Sequence, residues 1–142
     1  MPLTAKLLVL AIATQALLTV VILLLMGRER VPRVMSGEIR WQDIAVDRTA
    51  YPLRARLLSN NFDNQFQLPV LFYVVALLAL WSGSIGWVEV ILAWLFVVLR
   101  YVHAAIHITT NSLLPRFGAY AAGMVVLCVF WLWVVGRVLL LP

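Results

Sequence analysis

The chain has 142 residues, of which 64% are hydrophobic and only 12% charged, with a mean hydropathy of +0.99. That balance lies far outside the range of soluble domains, so it excludes a water-soluble enzyme and implies a single integral membrane domain over residues 1–142. A formal charge of +5 and a pI near 10.2 would suit a nucleic-acid binder, but the arginines border apolar runs and no nucleic-acid module accompanies them; the expected partner is the lipid bilayer.

Leu7 to Met26 is apolar except for Thr14, Gln15 and Thr19. It is about as long as a helix needs to be to cross a hydrocarbon core of roughly 30 Å. A cleaved leader would have a shorter apolar stretch and a small-residue cleavage site, and neither precedes Arg28, so the segment is read as a span. Three further apolar runs follow: Leu68 to Trp81, Ile85 to Leu99 with Glu89 near its start, and Phe117 to Leu141 with Arg137. The expected fold class is all-α, an antiparallel four-helix membrane bundle with spans at about 6–26, 54–81, 85–108 and 115–140.

The long first connection, Gly27 to about Tyr51, carries Arg28, Arg30, Arg33, Arg40 and Arg48 against Glu29, Glu38, Asp43 and Asp47. Arg116 lies in the third connection, while only Glu89 lies near the second. This arginine bias places the first and third loops in the cytoplasm and both termini outside. Ser82, Gly83, Ser84 and Gly86 form a short turn between spans two and three. Thr109 to Pro115 separates spans three and four; Asn111 or Ser112 can cap the last helix, with Pro115 in its first turn.

Span two opens with a polar stripe. At about 100° per residue, Arg56, Asn60, Asp63, Asn64 and Gln67 fall within one arc of about 100°, with Phe62 and Phe66 to one side and Gln65 facing away. Polar groups at membrane depth need a polar partner surface or a wet cavity, and by default they mark a functional site. The plainer alternative is that Arg56 and Asp63 pair locally and the amides bond between helices. A guanidinium, a carboxylate and several amides together suit a small zwitterionic or peptidic ligand.

Arg100, His103 and His107 at i, i+3 and i+7 share one face of span three, and Arg116 with Tyr120 one turn deeper begins span four. Two histidines at i and i+4 could hold a metal or haem, but only Asp63 offers a third ligand, so no metal is expected. Cys128 is the single cysteine; it forms no intrachain disulfide and reads as a small packing residue. No internal repeat, phosphate-binding glycine loop or nucleophile elbow occurs.

These residues resemble the MAPEG family, the membrane-associated proteins in eicosanoid and glutathione metabolism. Arg56-Leu-Leu-Ser-Asn60-Asn-Phe-Asp63 is similar to the family's Arg-x-x-x-Asn-x-x-Glu, and Arg100-Tyr-Val-His103-Ala-Ala-Ile-His107 to its Arg-x-x-His-x-x-x-Tyr. Asp63 stands where Glu is usual and His107 where Tyr is usual. The run Asn61 to Tyr73 is similar to bacterial members.

The resemblance implies a homotrimer of the bacterial inner membrane, with glutathione as co-substrate between adjacent protomers and a lipophilic second substrate arriving from the lipid. It implicates Arg56, Asn60, Asp63, Arg100, His103 and Arg116, with Asn64, His107 and Tyr120 beside them, and gives Arg116 the thiolate. The activity it implies is glutathione transferase or peroxidase chemistry; the alternative is a non-enzymatic lipid-binding or scaffold protein of the same fold.

Overall fold

A computed structural model describes residues 1–83 and 85–140, so Ser84 of the expected turn and Leu141 at the end of the last apolar run lie outside the described residues. All regular elements among the described residues are helical: α1 (Leu3–Met35), a 3₁₀ turn (Trp41–Ile44), α2 (Leu53–Asn64), α3 (Leu68–Trp81), α4 (Trp87–Ile108) and α5 (Leu113–Leu140). Four helical stretches are long and apolar enough to cross a membrane, with α2 and α3 together forming the second.

Two boundaries differ from expectation. The first helix continues well past Met26, because Arg28, Glu29, Arg30 and Arg33 are good helix formers and Arg33 pairs with Glu29 one turn back at 3.6 Å. Gly37, at φ 78°, ends it: its N–H donates to the Val34 carbonyl and that of Ser36 to Pro32. The second span is not continuous but broken over Gln65 to Gln67. Pro69 lacks the N–H that would bond to the Gln65 carbonyl, so the polar stripe and the apolar run become separate helices.

The bundle core is small and aromatic. Phe72 stacks on Phe96 with centroids 4.8 Å apart, and Phe130 closes the third side. Ala11, Ala76, Ala79 and Ala93 let the backbones approach around them. Polar bonds join α1 to α4: Trp94 Nε1 donates to the Leu7 carbonyl at 3.2 Å and the Tyr101 hydroxyl to that of Thr14 at 2.8 Å. The outer faces carry exposed Leu24, Leu77, Ile91 and Leu132, the inverse of a soluble surface and the pattern expected against lipid. Cys128 lies on that exposed surface rather than in the packing.

A satellite core of Val34, Ile39, Tyr51 and Ala55 folds the first loop back against the ends of α1 and α2. Glu29 bonds Arg54 at 3.0 Å across the same junction. The loop is thereby anchored close to the polar stripe.

Candidate functional site

The helix break determines where the buried cation sits. Ending α2 at Asn64 leaves carbonyls without intrahelical partners, at the negative end of the helix dipole. Arg100, on α4 and only 1% exposed, donates from Nη2 to the Asn64 carbonyl at 3.1 Å. Its Nε and Nη1 are buried with no partner among the described residues. A guanidinium removed from water with two open donors favours an anion nearby.

Beside it, a cavity of about 340 Å³ opens between α2, α4 and α5, walled by Asn60, Asn64, His103, His107, Arg116 and Tyr120. Leu113 and Phe117 supply its apolar side. No carboxylate lines it. Its chemistry is therefore a cation, two imidazoles, two amides and a phenol, a set that receives negative charge.

Each polar wall residue is oriented by a neighbour. His103 Nδ1 lies 3.1 Å from the Arg116 carbonyl, which can only accept, so Nδ1 carries the proton and Nε2, buried and unpartnered, is an acceptor. Asn64 Nδ2 approaches His107 Nδ1 at 3.3 Å; with the amide donating, the His107 proton resides on Nε2. The His103 ring lies 5.8 Å from both the His107 and Tyr120 rings. Asn111, in the left-handed region at φ 50°, turns the chain from α4 into α5, and its side-chain oxygen accepts from Arg116. It serves as a tether for that arginine rather than as a helix cap.

The structure thus brings Asn60, Asn64, His103, His107, Arg116 and Tyr120 together and places Arg100 directly behind Asn64. Arg56 lines a smaller adjoining cavity of about 260 Å³ with Arg48 and Thr49, and Asn60 belongs to both walls. Gln67 is exposed at the helix break. Asp63, expected among the site residues, is absent from the lining of the main cavity and pairs with Arg48, whose Nη1 and Nη2 donate to its two oxygens at 2.6 and 3.2 Å. The anchored loop supplies the reason: Tyr51 is buried in the satellite core, and Arg48 three residues earlier is held within reach.

Sequence reading missed two polar groups. Gln65, on the far side of the stripe, accepts from Gln15 Nε2 at 3.1 Å and donates to Asn61 Oδ1 at 2.9 Å; Asn61 in turn donates to the Ala104 carbonyl. These amides hold α1, α2 and α4 together inside the bundle and leave the cavity to the other face. The available signal was Asn61 and Gln65 at i, i+4 opposite the stripe, with Gln15 the one amide in span one. At the other end of the bundle, buried Glu89 accepts from Trp133 Nε1 at 2.8 Å, from the Gly86 N–H at 2.9 Å and from Arg137.

Among the described residues no three His, Cys, Asp or Glu side chains gather closely enough to hold a metal ion. The MAPEG family model matches residues 8–136 and so takes in α2, α4 and most of α5 with every wall residue of the cavity. Comparison with curated proteins and with solved structures gave no match.

Proposed function

The chain belongs to the MAPEG family, and from that premise we propose that it is a membrane-bound glutathione-binding enzyme, a transferase or peroxidase acting on lipophilic electrophiles or lipid hydroperoxides. The observation that supports this most is a cavity lined by one guanidinium and several hydrogen-bonding groups with no carboxylate among its lining residues, beside a buried guanidinium with two open donors. Glutathione brings two carboxylates and a thiol that must ionise. Arg56, Asn60 and Asn64 offer donors along α2 for the tripeptide, His103, His107 and Tyr120 offer the opposing wall, and Arg100 lies behind Asn64.

Arg116 is the catalytic residue in this reading. A free thiol has a pKa of about 8.5, and an adjacent guanidinium favours the thiolate at neutral pH. In transfer, the thiolate sulfur forms a bond to the electrophilic carbon and the leaving group departs with the bonding pair. In reduction, the sulfur attacks the distal peroxide oxygen, the O–O bond breaks to release the alcohol, and a second glutathione converts the sulfenic acid to a disulfide and water. Both reactions need an apolar partner delivered beside a polar pocket, and the lipid-facing surface next to Leu113 and Phe117 suits lateral arrival.

The same reading makes the unit a homotrimer of the bacterial inner membrane, with its first and third loops cytoplasmic and glutathione shared between protomers. The exposed groove running from Arg56 through Asn60 is where a second protomer would complete the pocket. Asp63 takes the glutathione amino group once Arg48 releases it.

Detergent-solubilised protein titrated with glutathione should develop ultraviolet thiolate absorbance, and Arg116→Ala should abolish the signal while leaving the protein folded. No binding at millimolar glutathione, or a thiolate signal untouched by the substitution, removes the mechanism and leaves the scaffold reading.

A further inference from the structure

A third cavity, of about 350 Å³, lies apart from the polar site, between the extended end of α1 and the first loop. Its floor is one α1 stripe, Leu23, Met26, Arg30 and Val34, and its roof is Trp41 and Tyr51. Apart from Arg30 the lining is apolar or aromatic. The Arg30 guanidinium is held over the Tyr51 ring at 4.5 Å from its centroid and pairs with no carboxylate among the described residues. Glu29, the adjacent carboxylate on its own helix, is engaged by Arg33 and Arg54.

Depth gives this arrangement its meaning. Met26 ends the apolar run, and Arg30 lies one turn beyond it, about 6 Å further along the axis. The stripe therefore begins at Leu23 among the hydrocarbon tails and reaches its one cation at the height of lipid phosphates, with exposed Trp41 at the interface beside it. A fixed cation above an apolar trough that opens into the bilayer complements an amphiphile with an anionic head and a tail continuing into the membrane.

We propose that this trough is a binding site for an acidic phospholipid of the adjoining leaflet, its phosphate on Arg30 and one acyl chain along Leu23 and Met26 beneath Trp41. The site is independent of the glutathione pocket and carries no reaction. Its energetic source is local charge plus apolar burial, which basic pockets beside membrane helices provide for acidic lipids.

Trp41 supplies the readout. The protein is reconstituted in vesicles containing brominated phosphatidylglycerol or, at equal mole fraction, brominated phosphatidylcholine, and Trp41 quenching is taken as the difference from Trp41→Phe. The acidic lipid should be preferred by roughly fivefold, as one well-placed basic residue provides. Arg30→Gln should erase the preference; Val31→Phe, which narrows the trough while keeping Arg30 and adding no indole, should erase it too. Arg28→Gln, an equal charge loss at an exposed residue outside the trough, should retain it. Equal quenching by both lipids overturns the proposal, as does a preference lost equally in Arg28→Gln, which marks bulk surface charge. Stronger quenching by a brominated fatty acid than by the acidic phospholipid overturns the choice of occupant, and no quenching by any lipid shows the trough to be covered by protein.

Discussion

Arg48 and Asp63, separated by fifteen positions in the chain, meet in a two-pronged ion pair at 2.6 and 3.2 Å that fastens the first loop to the polar face of α2. The pair occupies the one carboxylate of the stripe and turns it away from the histidines. Any ligand ammonium seeking Asp63 must compete with a guanidinium already in place.

That competition is measurable. Both side chains are substantially exposed, so the pair is worth about 0.2–1 kcal/mol. Arg48→Ala should tighten glutathione binding by about 1.4- to 5-fold in calorimetric titration, and should have no effect in an Asp63→Asn background. Weaker binding in Arg48→Ala would instead make Arg48 a ligand contact.

Arg100 separates binding from stability. Its guanidinium is buried with two open donors, so Arg100→Leu removes a poorly compensated charge and should leave the ligand-free thermal midpoint unchanged or higher. The rise in midpoint produced by saturating glutathione should disappear. Thermal melts in detergent with and without ligand test both halves, and a large destabilisation without ligand would give Arg100 a purely structural role.

Glu89, Trp133 and Arg137 form a clamp at the opposite end of α4 and α5. Glu89→Ala leaves Arg137 without its partner and should destabilise the protein by about 3 kcal/mol in denaturant unfolding. The double change Glu89→Leu with Arg137→Met should recover most of that loss. Glutathione affinity should move in neither variant, because the clamp and the cavity share no residue.

Two exposed carboxylates in the first loop titrate low. Arg40 beside Asp43, and Thr49 through its hydroxyl and N–H beside Asp47, hold both below the ordinary carboxylate value of 3.8. A depressed folded-state pKa contributes stability above the unfolded value and loses it as pH falls through the folded value. The loop should therefore keep its fold from neutrality down to the ordinary carboxylate range and loosen only below it. Carbonyl-carbon NMR titration should place both midpoints under 3.8; a midpoint at or above it would dissolve the two local contacts.

Much of the site was legible because helical spacing is a local property. Arg100, His103 and His107 face one way because they lie at i, i+3 and i+7 on an unbroken helix, and Arg116 with Tyr120 must follow wherever α5 begins. The stripe was read less well. Treating it as continuous with the apolar run ignored Pro69, and the break it causes is what exposes the Asn64 carbonyl to Arg100. Asn64 acquired its place in the cavity through that same geometry, while Gln67 lost its place.

The sequence by itself determined the four apolar spans and the choice of polar side chains, since hydrophobicity and periodicity act along a few helical turns. Only the tertiary structure decided their partners: Asp63 with Arg48, Gln65 with Gln15, Glu89 with Arg137. Each of these bonds joins segments separated by at least fifteen positions. Which of several available donors meets a given acceptor depends on how helices pack and where a loop is anchored, and no spacing within one helix carries that information.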